Sequence, residues 1–188
     1  MIRIIAGKHK NRVIPTLKKA DYRPSTTKFR EALFSILSSG EFAESQPVTG
    51  ATLLDLFAGT GALSFEALSR GAGSITLIDS NETHLKLAKE FAAKIGEEDN
   101  VTTLTANALL LPKSITKYDL VFMDPPYYND MVAKSLKCLI KRDWLANGAL
   151  IAIEMSARER LDLLDGLILL KEKRYGNNKL LILKYEQS

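Results

Sequence analysis

From Thr52 onward the chain alternates between two hydrophobic periods, and this alternation constrains its fold more than any other feature. Apolar runs of strand length fall at 52–57, 74–79, 101–105, 118–123 and 149–154. Between them, helical spacing runs from about Ala62 to Arg70, from about Glu82 to Ile95, and near 130–142. Strand and helix in turn build a mostly parallel sheet with helices packed on it. A short helix is expected near 157–165. The last two strands, 167–174 and 179–185, flank Gly176-Asn177-Asn178, which is hairpin chemistry. The expected fold is therefore α/β: a doubly wound sheet whose edge turns antiparallel, with ligands at the carboxyl ends of its parallel strands.

Upstream of this body the chain divides into a basic arm, residues 1–24, and the start of a domain spanning 25–188. The arm holds a short strand at Arg3-Ile4-Ile5. Ser25-Thr26-Thr27 offers N-caps for a helix whose apolar positions are Phe29, Leu33, Ile36 and Leu37, and Gly40 stops it. Residues 1–30 carry Arg3, Lys8, Lys10, Arg12, Lys18, Lys19, Arg23, Lys28 and Arg30 against one acid, Asp21. The whole chain nets +4, so the remainder nets −4. Such an asymmetry reads as either a solvated tail or a grip on phosphates, with Arg3, Lys8, Lys10, Arg12, Arg23, Lys28 and Arg30 as candidate RNA contacts. One cysteine, Cys138, and two histidines without partners at ligand spacing give no metal site. No apolar run reaches the roughly 18 residues of a membrane span, and a cytoplasmic protein is expected.

The chemistry collects at strand ends. Asp55-Leu56-Phe57-Ala58-Gly59-Thr60-Gly61 closes the first strand of the alternation, and its glycines let backbone turn tightly against a ligand. A dinucleotide fingerprint would place a third glycine where Ser64 stands, and a phosphate-binding Gly-Lys-Ser/Thr is absent. Asp55 would repel phosphate but suits an ammonium group. Asp79-Ser80 ends the next strand, where a carboxylate can accept both hydroxyls of a ribose or cap the following helix. Asn107-Ala108 follows the third; its amide could read an adenine edge or simply make a turn. Taken together these residues describe a nucleoside with a cationic amino-acid end and no phosphates, which is S-adenosylmethionine.

The fourth strand ends in Asp124-Pro125-Pro126-Tyr127. An exocyclic amine on a nucleobase has its lone pair drawn into the ring. Two acceptors holding its two N–H groups, Asp124 and the carbonyl of Pro125, favour the pyramidal and more nucleophilic nitrogen. The prolines hold those acceptors still, and Tyr127 can stack on a base taken out of its helix. No metal is required, because a sulfonium is already a good leaving group.

These residues resemble the S-adenosylmethionine-dependent methyltransferases with a Rossmann-like, seven-stranded mixed sheet and a C-terminal antiparallel hairpin. Within them the chain is similar to the RsmD family, which methylates guanine N2 in bacterial small-subunit ribosomal RNA. RIIAGKHKNRVIP, RPSTTKFREALFSIL, DLFAGTGALSFEALSRGA and DPPY carry the resemblance. Ala6, Ser25 and Asp79 depart from the family's usual glycine, threonine and glutamate. The resemblance implies that Asp55, Phe57, Ala58, Gly59, Thr60, Gly61, Asp79, Ser80, Asn107 and Ala108 line the cofactor site. It implies that Asp124 to Tyr127 hold the guanine of a 16S ribosomal RNA, with ribosomal proteins already bound. The competing readings are a DNA adenine-N6 methyltransferase, for which no segment remains to read a DNA sequence, and a non-catalytic RNA-binding assembly factor.

Overall fold

The computed structural model describes residues 2–17, 27–126 and 130–187. Tyr127, Arg23, Ser25 and Thr26 lie outside the described residues. The elements in chain order are β1 (Ile2–Arg3), β2 (Val13–Ile14), α1 (Thr27–Leu37), β3 (Thr52–Leu56), α2 (Ala62–Ser69), β4 (Ser74–Asp79), α3 (Glu82–Ile95), β5 (Val101–Thr105), β6 (Tyr118–Met123), α4 (Met131–Lys141), β7 (Leu145–Ser156), β8 (Leu167–Tyr175) and β9 (Asn178–Tyr185).

Seven strands form one sheet in the order β5-β4-β3-β6-β7-β9-β8. The five from β5 to β7 run parallel, while β9 pairs antiparallel with both β7 and β8. The chain leaves β3 for β4 on one side and later returns to lay β6 on the other. The carboxyl ends of β3 and β6 therefore border the crevice where such sheets bind ligands.

Because the central strands are covered on both sides, alternate residues feed two cores. Leu53, Leu77 and Phe122 pack with α1, α2 and α3, while Leu54, Leu56, Ile78, Val121 and Met123 pack with α4. Trp144 and Tyr118 stack at 5.6 Å between ring centroids and close the second core beside α4.

The described part of the basic arm, residues 2–17, packs against the domain. Ile2, Ile4 and Ile14 are buried in the first core with α2 and α3, so a boundary at residue 24 divides residues that share one core. The β1–β2 hairpin docks on α2 through Glu66, which is 0% exposed. The Glu66 carboxylate accepts from the Ile5 N–H at 2.6 Å and the Ala6 N–H at 3.0 Å. Gly7 follows in the left-handed region at φ +82, and a Cβ there would lie 1.8 Å from the carbonyl oxygen of Ser69. Only glycine allows that approach.

No helix forms at 157–165. Ser156 aligns through Asn178 of β9 with Tyr175, the far end of β8, so β7 and β8 run parallel. The connection must return the full length of β8, nine residues or about 30 Å at 3.3 Å per residue. Ten helical residues would span only about 15 Å. The segment is therefore drawn out, with Leu161 and Leu164 laid against the second core.

Candidate active site

The three expected acids meet on one side of the sheet. By the two-residue period Asp55, Asp79 and Asp124 fall on the face that carries α2. Asp55 is 2% exposed, and the Ser64 hydroxyl of α2 donates to its Oδ2 at 2.6 Å. Ser64 is the residue standing where a dinucleotide site would have glycine; here its hydroxyl holds the buried acid. Burial pushes the Asp55 carboxyl up to about 7, against the Ser64 hydrogen bond, and the charges of Asp124 and Asp79 push the same way. A buried acid raised this far, with two further acids beside it, favours an added cation.

The glycine turn is shaped around the same acids. Phe57 takes a left-handed φ of 73°, uncommon for an aromatic residue, followed by Gly59 at 55° and Gly61 at 80°. The N–H groups of Phe57 and Ala58 both donate to the carbonyl of Ile78 at 3.0 Å. A Cβ at Gly61 would stand 2.4 Å from the Leu77 side chain, so the turn sits flush on β4 only with glycine there. The Gly59 N–H donates to Asp79 Oδ2 and the Asn81 N–H to Oδ1, each at 2.8 Å. Asp79 thus ties the β3 turn to the start of α3, while the helix is capped by Asn81, which accepts from the Thr83 N–H. Each Asp79 oxygen keeps a further lone pair for a ligand hydroxyl. Thr60 Oγ1, buried in this turn, has no hydrogen-bond partner among the described residues. These observations fit S-adenosylmethionine: an acid pocket for its ammonium end, a braced carboxylate for its ribose, and an unspent hydroxyl in the turn.

Other expected site residues are placed less uniformly. Asn107 is exposed; its side-chain oxygen accepts from the Leu109 N–H at 2.9 Å and its carbonyl from the Leu110 N–H, so it makes the turn and presents its NH2 outward. Ala108 is 6% exposed and belongs to the second core. Ser80 is exposed. Pro125 is buried and Pro126 exposed, directly after the half-buried Asp124.

Sequence patterning overlooked a fourth strand-end acid. Met123 pairs with Ile153 in parallel register, so Glu154 stands beside Asp124 on the same face. Glu154 is 3% exposed and accepts from the Asn178 side chain at 2.7 Å. The signal was present: the apolar run expected as a strand at 149–154 closes on an acid, as the runs at Asp55, Asp79 and Asp124 do.

The expected RNA cations also differ in setting. Lys10, Arg12 and Lys28 are exposed, and Arg3 is exposed with its guanidinium donating to the Asn11 carbonyl. Lys8 pairs with Glu97 at 2.5 Å, and His9 reaches the same carboxylate at 2.6 Å. Burial raises the Glu97 pKa, but hydrogen bonds from Lys8, Asn100 and His9 outweigh it and bring the carboxyl down to about 2. Arg30 is a correction: it is 1% exposed, donates to the Arg3 carbonyl at 2.9 Å and lies 3.7 Å from Glu66. Its charge is spent inside the domain and no phosphate can reach it.

Comparison with known proteins points the same way. Residues 2–184 match the family described as conserved hypothetical protein 95. The chain is 42% identical to an uncharacterized methylase of Rickettsia prowazekii, over 98% of each protein. It is 38% identical to the ribosomal RNA small subunit methyltransferase D of Buchnera aphidicola, over 81% of this chain and 75% of that one. The solved structure of Escherichia coli yhhF superposes with a TM-score of 0.85 at 30% identity, covering 100% of this chain and 99% of the other.

Proposed function

The chain belongs to the RsmD family of S-adenosylmethionine-dependent methyltransferases, and on that premise we propose that it methylates the exocyclic N2 of a guanine in small-subunit ribosomal RNA, presented on an assembly intermediate. The observation that carries this reading is the acid cluster at the crevice. Asp55, pushed up to about 7, gathers with Asp79 and Asp124 at the strand ends, and Asp124 leads directly into two prolines. One acid group suits a cofactor cation, and another stands at the mouth for a neutral amine.

When bound, S-adenosylmethionine supplies an electrophilic methyl group on a sulfonium whose sulfur departs as a neutral thioether. The chain's part is to hold and to orient. Asp55 meets the ammonium end, Asp79 accepts from the ribose hydroxyls, and the outward NH2 of Asn107 donates to the adenine edge. Asp124 and the Pro125 carbonyl accept from the two N–H groups of the guanine amine, which turns the nitrogen lone pair toward the methyl carbon. The cofactor would supply the methyl group to that nitrogen, its sulfur keeping the bonding pair. The nitrogen then becomes acidic, and Asp124 takes its surplus proton. Most of the acceleration is orientation and fixed electrostatics.

The test uses purified protein, labelled S-adenosylmethionine, and small subunits or their precursors lacking the modification. Mass analysis of the digested nucleosides is expected to show one N2-methylguanosine per subunit. Label in N6-methyladenine of DNA, or in protein, would overturn the reading.

A further inference from the structure

The cations expected to attract RNA are partly spent: Lys8 on Glu97 and Arg30 on Glu66. A second basic surface lies on the opposite face of the sheet. Helix α4 reads MVAKSLKCLIK and contains no acid. Its Val132, Leu136 and Leu139 are buried in the second core, while Lys134, Lys137 and Lys141 recur at helical spacing on the exposed side. Arg142 at the helix end is exposed as well. These four cations line a groove of about 370 Å³ whose other wall is Leu109 and Leu110, in the loop that begins at Asn107. Leu110 is 77% exposed there. The nearest acid past the helix, Asp143, is taken up by Lys117, with Lys113 also beside it. By contrast α3, the long helix on the other face, mixes Lys86, Lys89 and Lys94 with Glu82 and Glu90.

Position gives this stripe its meaning. α4 starts seven residues after Asp124, at the carboxyl edge of the sheet, and runs toward the start of β7. Its eleven residues span about 16 Å at 1.5 Å per residue. A polyanion whose nucleotide sits at Asp124 could therefore continue along the groove. We infer that the groove between α4 and the 109–110 loop binds the sugar-phosphate backbone of the RNA substrate flanking the target nucleotide, through Lys137, Lys141 and Arg142 with Lys134 nearest the crevice. The inference rests on the reading of the protein as an RNA methyltransferase and adds the surface that carries the strand. Lys137, Lys141 and Arg142 supply affinity and salt dependence and leave selection of the base to the crevice.

The experiment is a salt titration of affinity for unmodified small-subunit RNA, comparing the wild-type chain with Lys137→Gln/Lys141→Gln/Arg142→Gln. Losing three phosphate contacts should flatten the slope of log affinity against log salt by about 2, at roughly 0.7 per contact on single strands. S-adenosylmethionine affinity by calorimetry and single-turnover methylation at saturating RNA should stay at wild-type values, since no substituted residue lies in the crevice. A control, Lys86→Gln/Lys89→Gln/Lys94→Gln, removes the same charge from α3 and should leave the slope unchanged. An unchanged slope in the α4 variant, or an equal loss in the α3 control, would overturn the proposal. So would a defect confined to protein-loaded particles and absent on naked RNA, which would assign the stripe to an acidic protein surface. If the wild-type chain transfers no methyl to RNA at all, the parent reading fails with it. A wild-type chain that methylates RNA while the α4 variant keeps its slope sinks the groove alone.

Discussion

In the proposed cofactor site Asp55 faces the ammonium group, and its titration sets the direction of the pH dependence. Its folded pKa of about 7 lies above the ordinary carboxyl value of 3.8. The folded protein therefore keeps a proton that the unfolded chain has already released. The stabilising contribution of Asp55 is complete below about pH 4 and is lost as pH rises through about 7. A bound ammonium group reverses the preference by favouring the ionised acid. S-adenosylmethionine affinity should accordingly rise roughly fivefold between pH 6 and pH 7, following the ionised fraction of a group with a pKa near 7 while the ligand's ammonium stays mostly charged. Asp55→Asn should bind more weakly at pH 8 and lose most of this pH dependence, while the free protein gains stability at that pH. Calorimetry across the range, with thermal melts of the free protein, checks both. Affinity flat in pH for the wild-type chain would remove Asp55 from the ammonium site. The acid itself is legible in the sequence as the residue before a glycine turn. Its pKa is not, because that comes from burial under α2 and from Asp124 and Asp79, brought close only by the sheet.

At the scale of elements, local signals succeed where an element's period and its ends agree. β4, β5 and β6 and helix α3 begin and end where alternation, helical spacing and glycine place them. Sequence reading fails where the deciding contact is distant along the chain. The 157–165 segment carries helix-compatible residues, yet the length of β8 forces it straight. The N-terminal segment reads as a basic arm, either a solvated tail or a grip on phosphates, because nothing in its own residues reveals Glu66, some sixty positions away. That carboxylate makes the strongest element-level prediction. It accepts from Ile5 and Ala6, pairs with Arg70 at 2.8 Å and neutralises buried Arg30. Glu66→Ala leaves Arg30 buried without its counter-charge and the hairpin amides without acceptors. The cost should be about 3–5 kcal/mol, the scale for removing one partner of a buried ion pair. Denaturant unfolding measures it; a midpoint within error of wild type would mean that Glu66 does not hold the hairpin.

Over the whole molecule, charge and chemistry are distributed by the sheet. Acids gather at its carboxyl edge, the N-terminal hairpin braces the face of α2, and a row of lysines lines the face of α4. In the proposed reaction Asp124 acts on the target amine while Asp55 and Asp79 hold the cofactor. The most direct measurement is a paired one on Asp124→Ala: single-turnover methyl transfer to small-subunit RNA, and S-adenosylmethionine affinity of the same preparation. Transfer is expected to fall by two or more orders of magnitude, as when a preorganised polar contact to the reacting group is removed (about 10²–10³), while cofactor affinity changes by less than about tenfold. Transfer near the wild-type rate, or a loss of transfer explained wholly by lost cofactor binding, would contradict the proposed reaction.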